Sequence, residues 1–284
     1  MSENALKSEK ALKAIDTWVN IDHKWDEIPS WLVDVQKDYF NISELMSHIT
    51  MDDMLRLMDD AGVEKSVLTI YGHKQPESTL EYVRQHPDRF ALSVDVNPSG
   101  LMKEVWKLEE LVDKYPVVMA RVVPFALDNP IPPSHPHYYP LYAKCIELDL
   151  PIAINTGICG PVRPSDAQNP MHLDQVCYEF PDLKVCMAHG ADPWWDVAIR
   201  LMLKYKNLRL MTSAYSPKYL PKQLIHFMNT RGKDKIIFAS DFPLLQPKPI
   251  IEQAQNIGLS EESLENYLFN NAENFFFSKR NPRK

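Results

Sequence analysis

Glycine is scarce in this chain, 8 residues in 284, and no GxGxxG occurs. That removes the phosphate-cradling turn on which dinucleotide-binding open sheets depend. The four cysteines, at 145, 159, 177 and 186, show no CxxC spacing. Zinc-knuckle and disulfide-framework readings both fail, and free thiols in a cytoplasmic protein are the expectation. No apolar run approaches the ~18 residues of a membrane helix. Residues 1–13 are polar and charged, without the apolar core of a secretory signal. Positive charge is also lacking. Lys and Arg total 31 against 38 Asp and Glu, a formal net charge of -7. No basic run precedes Lys279, Arg280, Arg283 and Lys284. Nucleic-acid binding is therefore not expected, and the basic end reads as a solubilising tail.

What the chain does hold is ordinary globular composition, 45% hydrophobic and 24% charged. Its length suits one α/β barrel, typically ~250 residues. Short apolar, β-branched runs predict strands at 13–21, 66–71, 90–96, 117–123, 151–155, 183–188, 208–212 and 236–239. Helical periodicity lies between them. Thr50, with Asp53 three residues on, caps the first predicted helix, and Gly62 ends it. Further helices are predicted at 77–85, 101–114, 140–148, 173–180, 194–205, 220–228, 248–256 and 261–276. Near-continuous apolar strands are buried on both faces, as in a parallel sheet. Eight βα units in one chain predict an α/β fold, a (β/α)8 TIM barrel, with a doubly wound open sheet as runner-up. The expected organisation is a polar tail at 1–12, one barrel domain at 13–278 and the basic tail at 279–284. Within it, the aromatic-rich stretch 22–49 is an insertion or lid after strand 1.

In a parallel barrel, polar residues that end the strands meet at one face. Strand 1 ends Asp16-Thr17-Trp18-Val19-Asn20 and strand 2 ends Tyr71-Gly72-His73. Strand 3 carries Asp95, strand 4 carries Arg121 and strand 5 ends in Asn155. Strand 6 ends in His189, strand 7 leads to Thr212, Ser213 and Tyr215, and strand 8 leads to Asp241. By itself Asp241 reads equally well as a turn residue before Pro243. Arg121 interrupts an apolar run. An unpaired buried guanidinium is costly, so it either pairs with a group such as Asp95 or faces the barrel mouth. There it would clamp a substrate carboxylate or carbonyl.

Four stretches together resemble the amidohydrolase-related family of the amidohydrolase superfamily. They are Ile-Asp at 15–16, Leu-Pro-Ile-Ala-Ile-Asn-Thr-Gly at 150–157, Met-Ala-His-Gly-Ala-Asp-Pro-Trp at 187–194 and Ile-Phe-Ala-Ser-Asp-Phe-Pro at 237–243. The resemblance implies a barrel hydrolase, lactonase or nonoxidative decarboxylase. It assigns the strand-8 carboxylate, Asp241, to water activation or proton handling, and the strand-6 imidazole, His189, to ligation or polarisation. The departures are as informative. The family pattern Asp-x-His-x-His here reads Asp16-x-Trp18-x-Asn20, and its strand-5 His is Asn155. Indole has no lone pair for a metal. The cofactor expectation is thus one or two divalent ions (iron, manganese or zinc) or none. If an ion is present, its ligands would come from His189, Asp241, Asp16, Asn20 and Asn155.

The expected function is hydrolysis of a lactone, ester, thioester or amide in a small molecule, with water activated at Asp241 and His189. The alternatives are nonoxidative decarboxylation of an aromatic acid, and a non-catalytic ligand-binding barrel. Arg121, Asn155, Asn20, Trp18, Tyr71 and Tyr215 are the expected substrate-binding residues. Asn20 and Asn155 read equally as structural amides linking strand ends. Cys159 would need a neighbouring base to act as a nucleophile. His135 and His137, spaced HxH in a Pro-rich loop, read as part of a loop reaching over the mouth, and the aromatics Trp25, Trp31, Tyr39, Phe40, Trp194 and Trp195 read as an apolar pocket wall, core packing or a subunit contact. A small molecule is the expected partner, neither nucleic acid nor membrane is, and a homo-oligomer is left open.

Overall fold

A computed structural model describes residues 12–21 and 49–282. The expected tail at 1–12 and lid at 22–49 lie almost entirely outside the described residues, as do Arg283 and Lys284. Eight strands form one parallel sheet in chain order. They are β1 (Ala14–Val19), β2 (Val63–Tyr71), β3 (Phe90–Asp95), β4 (Val117–Val122), β5 (Ile152–Asn155), β6 (Val185–Ala188), β7 (Leu208–Met211) and β8 (Ile236–Ile237). The last strand meets the first. Val19 bridges Phe242 in parallel, the Asn20 N–H donates to Phe242 O at 2.8 Å, and Thr17 Oγ1 donates to Phe238 O at 2.8 Å. The result is the (β/α)8 barrel.

The helices follow the predicted alternation. They are α1 (Met51–Ala61), α2 (Glu77–Gln85), α3 (Met102–Lys114), α4 (Tyr139–Glu147), α5 (His172–Glu179), α6 (Trp195–Lys204), α7 (Lys222–Asn229) and α8 (Pro247–Ala254). The α1 cap is as expected. Thr50 Oγ1 accepts the Asp53 N–H at 3.2 Å, and Gly62 closes the helix at φ 71°. The helix expected over 261–276 is instead two short helices, α9 (Glu261–Glu265) and α10 (Asn271–Phe276), joined by a π-helical turn at Asn266–Asn270. β8 is also shorter than expected. Beyond Ile237 the backbone leaves the ladder: Phe238 N–H donates to Tyr267 O in the π turn at 3.0 Å.

Two apolar cores explain the layers. One lies between strands and helices, with Val63, Leu68, Leu92, Val122, Ile154 and Leu210 packed against Met54, Leu108, Leu141 and Leu224. The other fills the barrel, with Ile15, Val67, Met119, Ala153, Cys186, Met211 and Ile237 above Ala272, Phe275 and Phe276 of α10. Side chains alternate along a strand with period two. Two residues above Val67, Met119 and Ala153 therefore stand Thr69, Arg121 and Asn155. The apolar interior turns polar within one layer of its C-terminal mouth.

Candidate active site

The mouth draws its side chains from strand ends around the whole barrel. From β4, Arg121 reaches past β3 and β2 to the end of β1. Its guanidinium carbon lies 3.6 Å over the Trp18 ring, a stacked cation–π contact. Nη1 donates to Thr69 Oγ1 at 2.5 Å and to Asn20 Oδ1 at 3.4 Å. Asp95 Oδ2 is 3.4 Å from Nε, the internal pairing weighed from the sequence. That contact lacks hydrogen-bond geometry, and Nε is buried without a hydrogen bond. Arg121 thus both pairs with Asp95 and faces the mouth.

Asn20 Nδ2 donates to Asp241 Oδ1 at 3.1 Å, so Asn20 bridges the cation and the carboxylate. Asp241 sits in left-handed backbone at φ 63°, a conformation unfavourable by ~1–2 kcal/mol for a side-chain-bearing residue. The turn is held from beneath. Asp16 accepts the Ser240 N–H at 2.8 Å and the Ser240 hydroxyl, and Ser240 Oγ accepts the Phe242 N–H at 2.9 Å. Burial raises Asp241 to about 7. Asp16 adds to the rise, while Arg121 and hydrogen bonds from Asn20 and Trp18 oppose it. Burial likewise raises Asp16 to about 6 against its bonds from Ser240. Asp95 is also raised by burial, with Arg121 and His73 opposing.

His189 follows β6 at φ 61°. Its ring meets Trp18 edge-on at 4.9 Å. Ser213 Oγ accepts the His189 backbone N–H at 3.0 Å and lies 2.6 Å from Nδ1. Burial, then the nearby Arg121 charge, lowers the imidazole to about 3, so the ring is neutral at physiological pH. When Ser213 donates to Nδ1, the ring proton resides on Nε2.

The structure therefore brings together Asp241, His189, Arg121, Trp18 and Asn20, with Asp16 beneath. Asn155 is buried at the mouth end of β5, beside the β6 strand that leads to His189, and its Oδ1 has no partner. Tyr71 stands over His73 at 5.8 Å, and Tyr215 meets Trp195 edge-on at 5.3 Å. Thr69 and Ser240 were not singled out from sequence. Both are small hydroxyls inside apolar strands or turns, and only the period-two parity of β2 and the pairing of β8 with β1 reveal them. Cys159 lies 3.2 Å from Ser165 Oγ and 3.4 Å from two carbonyls. His135 and His137 meet edge to face at 4.5 Å, and His137 is exposed.

The side chains present do not fit a histidine-held metal. Trp18 offers no lone pair, and Arg121 covers its face. Both Asp16 oxygens are engaged by Ser240, and both Asn20 side-chain heteroatoms are engaged by Arg121 and Asp241. A fixed guanidinium lies where a divalent cation would be repelled. Among the described residues, no group of three or more His, Cys, Asp or Glu is placed to hold an ion.

A parallel barrel with acid–base groups at its C-terminal mouth has the form of an enzyme. The chain belongs to the amidohydrolase family, which matches residues 15–277. No curated protein matches it. Solved structures share the fold at low identity. An uncharacterised TIM-barrel protein from Bordetella bronchiseptica is 21% identical, with TM-score 0.77, covering 93% of this chain and 98% of that one. A 2,6-dihydroxybenzoate decarboxylase bound to 2,6-dihydroxybenzoate is 17% identical, with TM-score 0.70, over 94% and 99%. A dihydroxybenzoic acid decarboxylase from a Polaromonas species, with manganese and 2-nitroresorcinol, is 19% identical, with TM-score 0.69, over 95% and 98%. Among the described residues no helix is long and apolar enough to cross a membrane.

Proposed function

We propose that the chain hydrolyses a lactone, ester, thioester or amide bond in a small molecule, with Asp241 as general base and no metal in the step. The observation that carries this reading is the Asp241–Asn20–Arg121 chain at the mouth: a buried carboxylate held by one amide and facing a fixed cation. A base is most effective when its pKa lies near the working pH, and burial brings Asp241 to about 7. Water attacks the carbonyl carbon as Asp241 takes its proton. Negative charge gathers on the carbonyl oxygen, which the neutral His189 polarises through Nε2–H. Asp241 then returns the proton to the departing alkoxide, thiolate or amine as the tetrahedral adduct collapses. Arg121, Asn155, Asn20, Trp18, Tyr71 and Tyr215 are the groups we assign to substrate binding.

A second reading, nonoxidative decarboxylation of an aromatic acid, is favoured by one feature. A carboxyl titrating near neutrality is also competent to deliver a proton to carbon. The decarboxylases among the structural neighbours are consistent with it. The two readings separate on one plate: activated esters, lactones and acyl-thioesters beside hydroxybenzoates, with parent protein and Asp241→Asn. Product acid formed by the parent and not by the variant supports hydrolysis. Carbon dioxide release supports the second reading. A variant equal to the parent removes Asp241 from both.

A further inference from the structure

Trp18 and Asn20 stand at the two positions where the family pattern has imidazoles, and both are engaged with Arg121. The replacement that removes two metal ligands supplies a stacking platform and an acceptor for a guanidinium. Thr69 completes the grip on Nη1. The rest of the fork makes no hydrogen bond among the described residues, although Asp95 Oδ2 stands 3.4 Å from Nε. Nε is buried with no hydrogen bond, and Nη2 has no hydrogen-bond partner among the described residues. Arg121 is only 7% exposed, so bulk water offers its donors little compensation. The Nε–Nη2 edge of a guanidinium is a planar pair of donors that matches the two oxygens of a carboxylate. Asn20 turns its amide nitrogen to Asp241, and the Asp95 carboxylate lies off the hydrogen-bond direction of Nε, so neither fills the free donors.

We propose that Arg121 stands in place of the family's metal, making the mouth a guanidinium-centred anion site, and that the substrate carries a carboxylate which docks on the Nε–Nη2 edge. This rests on Asp241 and Arg121 belonging to one active site, but on no particular reaction. The test is binding to the full chain. Acetate and benzoate are titrated calorimetrically against acetamide and benzamide, and the protein is dialysed against manganese and zinc chlorides before elemental analysis. The carboxylates bind and raise the melting temperature, the amides do not, and dialysed protein retains no stoichiometric ion. Arg121→Lys keeps the charge and loses the fork, so it weakens benzoate about 10- to 100-fold, the range of one to two charged hydrogen bonds. Arg121→Gln abolishes the response. If that variant does not fold, the lysine variant still decides. Absence of carboxylate binding, amides binding as well as acids, or an unchanged lysine variant would each overturn the proposal. So would one manganese or zinc per chain that Asp241→Asn releases. No turnover is needed, so failure of every activity assay leaves this result interpretable, and failure of anion binding leaves water activation at Asp241 standing.

Discussion

The two ends of the barrel each bury a cation, and they treat it differently. At the N-terminal end, Lys235 precedes β8 and donates to the carbonyls of Tyr205, Lys206 and Leu208 at 3.3, 2.8 and 3.4 Å. All three of its donors are used. Burial, then Arg209, lowers it to about 8, with Asp234 opposing. Nearby, Asn271 closes the floor by donating to Lys233 O and Ile236 O. At the C-terminal end, Arg121 Nε has an ion-pair neighbour, Asp95, but no hydrogen bond among the described residues, and carboxylates and an imidazole face it with displaced titrations. Backbone conformation leans the same way, with Asp149 before β5 (φ 50°) as the exception at the floor. Left-handed residues other than glycine follow β6, β7 and β8 in turn, at His189, Ala214 and Asp241. Such conformations persist only where surrounding contacts impose them, and they cluster at functional sites. The lysine at the floor is satisfied, while Arg121 and Asn155 at the mouth leave polar atoms for something else to complete.

This contrast can be broken at either end. The largest effect is expected from Asp241→Asn. General-base catalysis contributes about 10²–10⁴-fold, so kcat/KM falls by that factor, with the substrate Kd little changed. Full activity in the variant would end the assignment.

Next is the pH dependence of stability. The folded Asp241 titrates near 7, above the unfolded value. The folded state therefore holds an extra proton between those two values, and this contribution is lost as pH rises through the folded pKa. Asp16 acts in the same sense up to about 6. His189, lowered to about 3, acts in the opposite sense between 3 and its unfolded value. Asp241→Asn removes one proton of linkage, flattening the decline by ~1.4 kcal/mol per pH unit. Denaturant melts at pH 5, 6 and 7 measure it, and parallel curves for parent and variant would contradict the assignment.

At the floor, Lys235→Met withdraws a donor from buried carbonyls. Stability falls by about 1–3 kcal/mol, read as a lower melting temperature, while benzoate binding and turnover are unchanged. A loss of binding there would erase the distinction between the two ends. The smallest effect on turnover is at Ser213→Ala. Losing the hydroxyl beside His189 Nδ1 frees the ring to rotate. The cost is about 1 kcal/mol, roughly fivefold in kcat, with KM nearly constant, while the His189 N–H left without its acceptor also lowers the melting temperature.

Much of this was legible in the chain. Apolar runs separated by capped amphipathic helices dictate a parallel barrel, because runs without alternation must be covered on both faces. The capping pair Thr50 and Asp53 and the stop at Gly62 were readable for the same local reason. So were Asp241 and His189: a charged or ionisable group just past a buried strand has only the mouth to occupy. The replacements at Trp18, Asn20 and Asn155 were legible as chemistry, since an indole cannot ligate. What the sequence could not disclose is where those replacements turn. Whether Arg121 pairs inward or faces the mouth depends on barrel curvature bringing β4 into contact with β1, three strands away. That brings residues 101 to 103 positions apart, Arg121 with Asn20 and Trp18, into contact. Only closure sets Asp16 beneath Ser240, 224 residues away, and so orients the turn bearing Asp241. Local patterns specify which segments become strands and which groups end them. Titration, pairing and unpaired donors arise from neighbours that only the folded barrel supplies.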